Sequence, residues 1–330
     1  MKTGWLLLLV IYLISCSSHR NKVVIAHRGA PGYLPEHTLE GVAMAHAWGV
    51  DFVEPDVVLT KDNRAVILHD VHIDTTTNVA NIYPKRKRQD GRYYAIDFTL
   101  KELKTLTVNE RIDLRTGKQV FKMRFSLNKS RFEIPTLEEY IELVQGLNQT
   151  RNVNVGIYPE LKSPEFHLKA KKDIAKIVLS ILDRYGYNSE KANIYVQCFY
   201  PPTLRRLRNK LGAKMPLIAL IAENSWNETS FDYEKFKDEE SLTEISKYID
   251  GIGPYIPQLY TKKNNEISPS ALVMNAKKLN LKIHPYTHRM DQLPPEFKSS
   301  QELFDFLYDE AKVDGIFSDF GDKALIYSKN

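Results

Sequence analysis

The chain predicts an irregular (β/α)8 (TIM) barrel carrying an inserted subdomain, and three observations lead there. Short runs rich in β-branched residues alternate with longer amphipathic stretches over most of its 330 residues. No Gly-rich nucleotide-binding fingerprint follows the first such run, which argues against a doubly wound open sheet. One polar, basic, weakly periodic segment, about 71–134, breaks the rhythm and reads as an insertion after a strand.

Strand candidates fall at 23–26, 52–59, 65–69, 155–161, 194–199, 217–221, 251–253, 282–286 and 315–318. Helical patterns fall at 38–48, 137–147, 169–185, 203–210, 242–248, 271–279 and 301–309. Nine strands are too many for an eight-stranded barrel. The link Thr60-Lys61-Asp62-Asn63-Arg64 is too short for a parallel crossover, so the second and third candidates are expected to form a hairpin that distorts the barrel locally.

Composition is ordinary for a soluble globular protein, with 43% hydrophobic and 26% charged residues. A net charge of +5 suits an anionic substrate or a membrane surface and is too weak to argue for nucleic acid. At the N-terminus Lys2 precedes an apolar run, 5–14, that is too short to span a bilayer and ends in Leu13-Ile14-Ser15-Cys16. A small residue directly before cysteine resembles a bacterial lipoprotein signal. That resemblance implies removal of 1–15, acylation of Cys16, a tether over 16–22, and a barrel from 23 onward. The protein is then expected in the bacterial cell envelope, anchored by lipid to a membrane, with Ser17 favouring the outer one. Cys198, in an apolar strand, is left without a disulfide partner and is expected to be a buried small hydrophobe.

The chemistry gathers at strand ends. Glu54 and Asp56 are two apart in a strand and so share a face. Their apolar flanks make that face costly for two carboxylates unless a divalent cation offsets desolvation and repulsion. Oxygen ligands suit Ca²⁺ or Mg²⁺, and Glu160, beyond another apolar run, completes a three-carboxylate set. His27 and His69 each directly follow an apolar run, which places both at the catalytic rim as a general acid/base pair. Arg28 offers a planar fork for a phosphate, and Lys162, two beyond Glu160, points to the same face and could reach a phosphate oxygen. Gly29 and Gly32 would let the first loop turn close to a ligand. His37-Thr38 reads first as a helix cap, and Lys85-Arg86-Lys87-Arg88 as a solvated loop.

At these residues the resemblance becomes specific. AHRGAPGYLPEHTLEG, VEPDVVLTKDNRAVILHD and IYPELK resemble the glycerophosphodiester phosphodiesterase family, in particular its bacterial periplasmic branch. DGRYYAIDFTLKEL, YVQCF, WNET, YIDGIGP, IHPYTHR and DGIFSDFGDKA extend the likeness over most of the chain. It implies metal ligation by Glu54, Asp56 and Glu160, acid/base work by His27 and His69, and phosphate contact by Arg28. It also implies Ca²⁺, with Mg²⁺ the alternative, and cleavage of glycerophosphodiesters to sn-glycerol 3-phosphate and an alcohol. Gln197, Phe199 and Tyr286, at later strand ends, are expected to contact the substrate. Three positions depart from the branch: Pro55 between the acids, Tyr255 after YIDGIGP, and Gly321 in place of a proline. Two alternatives stay open, a surface lipoprotein with a binding or adhesion role and a phospholipase-type phosphodiesterase.

Overall fold

The computed structural model describes residues 22–264 and 266–328; Cys16 and the leader lie outside them. Eight parallel strand positions follow one another around the described barrel. They are Val23–Ala26, Phe52–Val53 resuming as Asp56–Leu59, Gly156–Ile157 resuming as Glu160–Leu161, Val196–Cys198, Leu217–Ile221, Gly251–Pro254, Lys282–Ile283 and Gly315–Ser318. The second to seventh each pair in parallel with their predecessor, and the eighth pairs with the first, Val23 opposite Gly315. Closure between the seventh and eighth runs through backbone bonds from Asp314 N–H to Ile283 O (2.9 Å) and Phe317 N–H to Pro285 O (3.0 Å).

Two of the expected strands are interrupted, each at a proline. Pro55 and Pro159 have no N–H to give the ladder, yet each carbonyl still accepts from the next strand. Glu160 N–H donates to Pro55 O at 2.9 Å, and Gln197 N–H to Pro159 O at 3.0 Å. The breaks sit side by side and leave the alternation of faces intact. Ile25, Phe52, Tyr158, Ile218 and Phe317 fill the barrel interior, whereas Val24, Val53, Ile157, Leu217 and Ile316 pack outward under the helices. His27, Glu54, Asp56, Glu160, Lys162, Gln197 and Asp319 continue the inward series at its mouth end.

The hairpin forms as expected: Asp56–Leu59 pairs antiparallel with Ala65–Ile67, Val57 opposite Ile67. This corrects the placement of His69 at a strand end equivalent to that of His27. The second strand runs on past the mouth, and its antiparallel partner comes back, so His69 reaches the rim on the return. The segment after it is a folded subdomain and not a loose loop. Ile73, Val79, Phe98, Leu103, Leu106, Val108, Phe132 and Ile134 bury one core together with Val58, Val66 and Leu68 of the hairpin.

Helices cover the outside, and their ends follow local chemistry. Leu39–Trp48 is capped by Thr38, whose hydroxyl accepts from Gly41 N–H, and Leu137–Arg151 opens with a Thr136/Glu139 capping box. The helix expected over 169–185 begins only at Ile174 and runs to Arg184, because Lys171 is left-handed (φ 58°) and Asp173 caps it; a separate helix, Pro164–Lys169, precedes it. Tyr260–Lys263 and Glu266–Pro269 form a surface hairpin whose exposed lysines masked any strand pattern. The chain then closes with Gly321–Ser328, also unmarked in the sequence reading. Cys198 is fully buried, as expected. No described helix is long and apolar enough to cross a membrane.

Three buried histidines that do not line the cavity give the fold an acid sensitivity. Burial holds His167, His284 and His288 down at about 4. Between that value and the ordinary 6.5 the unfolded chain binds protons at these three rings that the native state does not, so their contribution to stability rises with pH across this window, partly offset by the raised carboxyls of Glu54, Glu110 and Glu160. The unfolding midpoint is expected to fall as pH drops from 6.5 to 4, and to go on falling below 4 as the depressed carboxyls of Asp70 and Asp319 take up protons. A midpoint that stays flat over that range, followed by calorimetry, would refute this.

Candidate active site

The inward series delivers three carboxylates to one place. Ligand oxygens of Glu54, Asp56 and Glu160 all lie within 4.8 Å of one another, and the three residues are at most 5% exposed. Like charges at that spacing repel by about 3–4 kcal/mol per pair at an effective dielectric of 20. Two cations answer them: Lys162 Nζ lies 2.8 Å from Glu160, and Arg28 Nε 3.5 Å from Asp56. One negative charge is left over. Burial, with Asp56 and Glu160 alongside, raises the Glu54 carboxyl well above the usual range. Burial also raises Glu160, in spite of Lys162. Among the described residues Asp56 Oδ1 has no hydrogen-bond partner. A buried carboxylate set with spare acceptors and net negative charge fits a divalent cation held by oxygen ligands, so these residues could hold such an ion.

The neighbours of the triad fix each carboxylate. Arg28 and Gly29 turn the chain left-handed just past the first strand (φ 53° and 89°), which aims Arg28 N–H at Glu54 Oε2, 2.8 Å away. Gln197 Nε2 donates to Glu54 Oε1 at 3.1 Å, so the residue expected on substrate is engaged with a carboxylate of the triad. His37 Nε2 lies 2.8 Å from Asp56 Oδ2. The His37-Thr38 pair is thus both a cap and a support: Thr38 caps, and His37 reaches into the site. Lys162 is far from a solvated lysine. It is buried, paired with Glu160, 3.6 Å from Glu228, and 5.1 Å above the Phe199 ring.

Each rim histidine is bound at Nδ1 by an aspartate. His27 Nδ1 lies 2.6 Å from Asp319 Oδ1, and His69 Nδ1 2.7 Å from Asp70 Oδ1. Burial and then the Arg28 charge hold His27 down at about 4 despite Asp319. Burial, Arg28 and Lys162 take His69 to about 3 despite Asp70. An ionised aspartate accepts from Nδ1–H, so both rings are neutral at pH 7 with Nε2 as the basic nitrogen.

His27, Arg28, Glu54, His69, Glu160 and Gln197 line one side of a cavity of about 200 Å³, and Phe199, Trp226, Tyr255 and Tyr286 line another. The aromatic wall is continuous: Trp226 stands 5.0 Å from Tyr255, and Phe199 5.7 Å from Tyr286, between ring centroids. Tyr255, the departure after YIDGIGP, is therefore a cavity residue. The basic run at 85–88 takes no part. Arg86 pairs with Glu102 and Arg88 with Asp97, inside the insertion.

Sequence reasoning missed Glu36, Asp70, Arg111, Arg124, Arg289 and Asp319. Asp319 follows the last strand as His27 follows the first, and that position was the available signal.

An uncharged ester would gain nothing from so much buried charge. A guanidinium, a cation-ready carboxylate set and two neutral imidazoles at a barrel mouth suit hydrolysis of an anionic phosphate ester. Residues 27–323 match the glycerophosphoryl diester phosphodiesterase family. The chain is 40% identical to a glycerophosphodiester phosphodiesterase of Haemophilus influenzae over 96% of its own length and 95% of the relative's. It is 34% identical to one from Treponema pallidum, covering 93% and 91%. Its fold is similar to that of an Oleispira antarctica phosphodiesterase solved with the product sn-glycerol-3-phosphate (TM-score 0.62, 21% identity, 93% and 97% covered). The chain belongs to the glycerophosphoryl diester phosphodiesterase family.

Proposed function

We propose that this phosphodiesterase hydrolyses glycerophosphodiesters such as glycerophosphocholine and glycerophosphoethanolamine to sn-glycerol 3-phosphate and an alcohol. The observation that carries the reading is the convergence of His27, His69, Arg28, Glu54 and Glu160 on one cavity, with Asp56 beside the two glutamates and an aspartate behind each histidine. The product in the Oleispira antarctica relative supports the glycerol phosphate half of the substrate. The triad would hold a divalent cation, Ca²⁺ by preference, which when bound would supply positive charge against the phosphoryl oxygens.

The side chains do the remainder. Arg28 presents its fork to the phosphodiester and helps neutralise charge that grows on its oxygens. His27, neutral at rest, takes the proton of the nucleophile, either water or the substrate's own glycerol hydroxyl, at Nε2. A phosphorus–oxygen bond to the nucleophile forms as that to the alcohol breaks. His69, which takes up a solvent proton at Nε2 as the anionic substrate binds, gives it to the departing oxygen. The substrate's negative charge, added to that of Asp70, favours the imidazolium this step needs. Where the glycerol hydroxyl attacks, water then opens the cyclic phosphate to sn-glycerol 3-phosphate. Phe199 and Tyr286 wall the glycerol side. A lipid anchor at Cys16, proposed from Leu13-Ile14-Ser15-Cys16, would hold the enzyme at a membrane of the bacterial envelope, near deacylated phospholipids.

A coupled glycerol 3-phosphate assay on glycerophosphocholine tests the reading. Turnover with stoichiometric glycerol 3-phosphate is expected; product that forms only from intact or lyso-phospholipid would replace it with the phospholipase alternative.

A further inference from the structure

We propose that Arg111 and Arg124, both supplied by the insertion, are positioning residues that hold the aspartate partners of the two histidines. The inference rests on His27 and His69 being the acid/base pair.

The same arrangement occurs twice, built from unrelated parts of the chain. In each pair one aspartate oxygen binds the imidazole and the other binds an insertion arginine. Asp319 gives Oδ1 to His27 and receives Arg124 Nη2 on Oδ2 at 2.8 Å, where Arg289 Nε also arrives at 2.8 Å. Asp70 gives Oδ1 to His69 and receives Arg111 Nη1 on Oδ2 at 2.6 Å. An aspartate bound at one oxygen only can swing about its side-chain bond and release the ring to its other tautomer. Fixing the second oxygen removes that freedom and keeps Nε2 as the basic nitrogen.

Each arginine is itself held from a second side. Arg124 makes a two-pronged contact with Asp291 (2.9 and 3.1 Å), and its guanidinium lies 3.6 Å from the centroid of the Phe121 ring. Arg111 makes a two-pronged contact with Glu36, at 3.1 and 2.5 Å. Glu36 also accepts from Arg28 Nη1 at 3.1 Å, so Arg111 braces the phosphate-facing arginine as well as His69. Arg124 touches no group assigned to the substrate. The two arginines therefore predict different kinetic signatures.

Arginines that merely tie the insertion to the barrel would affect stability and little else. The test is steady-state kinetics on glycerophosphocholine, with unfolding midpoints measured in parallel. Arg124→Gln is expected to lower kcat about 10-fold with KM little changed, the loss limited because Arg289 Nε still holds Asp319 Oδ2. Arg111→Gln is expected to lower kcat by a similar factor and also to raise KM, through Arg28. If the arginine works through its aspartate, Arg124→Gln adds little further loss in an Asp319→Asn background, and Arg111→Gln adds little to the kcat loss of Asp70→Asn. Arg124→Lys and Arg111→Lys keep the charge but lose the fork. They should recover stability more fully than kcat, and they carry the same comparison if a glutamine variant does not fold. Folded arginine variants with undiminished kcat, or kcat losses that multiply in the double variants, overturn the inference. His27→Ala and His69→Ala are assayed alongside: turnover persisting there overturns the acid/base reading and the inference with it.

Discussion

Replacing His69 with alanine is expected to lower kcat by about 10²- to 10⁴-fold while leaving the fold intact. The loss corresponds to roughly 3–5 kcal/mol of transition-state stabilisation. The side chain is more than a quarter exposed, so its removal opens no sealed cavity. Asp70 keeps its contact with Arg111 and is not stranded as an unpaired buried charge. His27→Ala is expected to act similarly, since Asp319 retains Arg124 and Arg289. Comparing kcat with the unfolding midpoint checks both variants. A folded His69→Ala protein whose kcat stays within tenfold of the parent would remove His69 from the chemistry.

Chelation should have an effect as large, and one that reaches stability too. EDTA is expected to abolish turnover and Ca²⁺ to restore it, with Mg²⁺ as the comparison. The three carboxylates within 4.8 Å repel, and Arg28 and Lys162 leave one charge uncompensated. An ion at 1,000 times its Kd adds about 4 kcal/mol to stability. In a chain of this size that is a rise of roughly 10 °C in Tm. Glu54→Gln gives a test with opposite signs. It should stabilise the chelated protein, where the Glu54 carboxyl is already pushed toward protonation, and remove most of the gain from Ca²⁺. Turnover indifferent to EDTA, or a Tm indifferent to Ca²⁺, would contradict the ion site.

Much of this site was legible before any coordinates, for a physical reason. Strand side chains alternate with a period of two, and His27, Glu54, Asp56, Glu160 and Lys162 each extend an apolar run by a whole number of periods. Pro55 interrupts the strand without changing which face Glu54 and Asp56 share, because its carbonyl keeps the ladder while its missing N–H breaks it. The supporting residues were hidden by distance along the chain. Asp319 meets His27 across 292 positions, Arg124 meets Asp319 across 195, and Arg111 meets Glu36 across 75. No local pattern carries such pairings. Charge density misled as well: the conspicuous run at 85–88 serves the insertion's own surface, while the isolated Arg111 and Arg124 reach the site. Lys162 was placed on the right face, but its burial depends on Glu228 and Phe199, on later elements that no spacing reveals.

The returning hairpin strand has a consequence for how the enzyme fails. Leu68 belongs to a cluster built mainly by the insertion, and the adjacent His69 lines the cavity, so the two halves of the acid/base pair rest on different hydrophobic clusters. His27 stays with the barrel wall; His69 stays only while the insertion is folded. Fluctuations that open the insertion silence the enzyme with the barrel still standing. The temperature at which activity is lost is then set by the smaller unit's opening, and recovery on cooling needs only that unit to close.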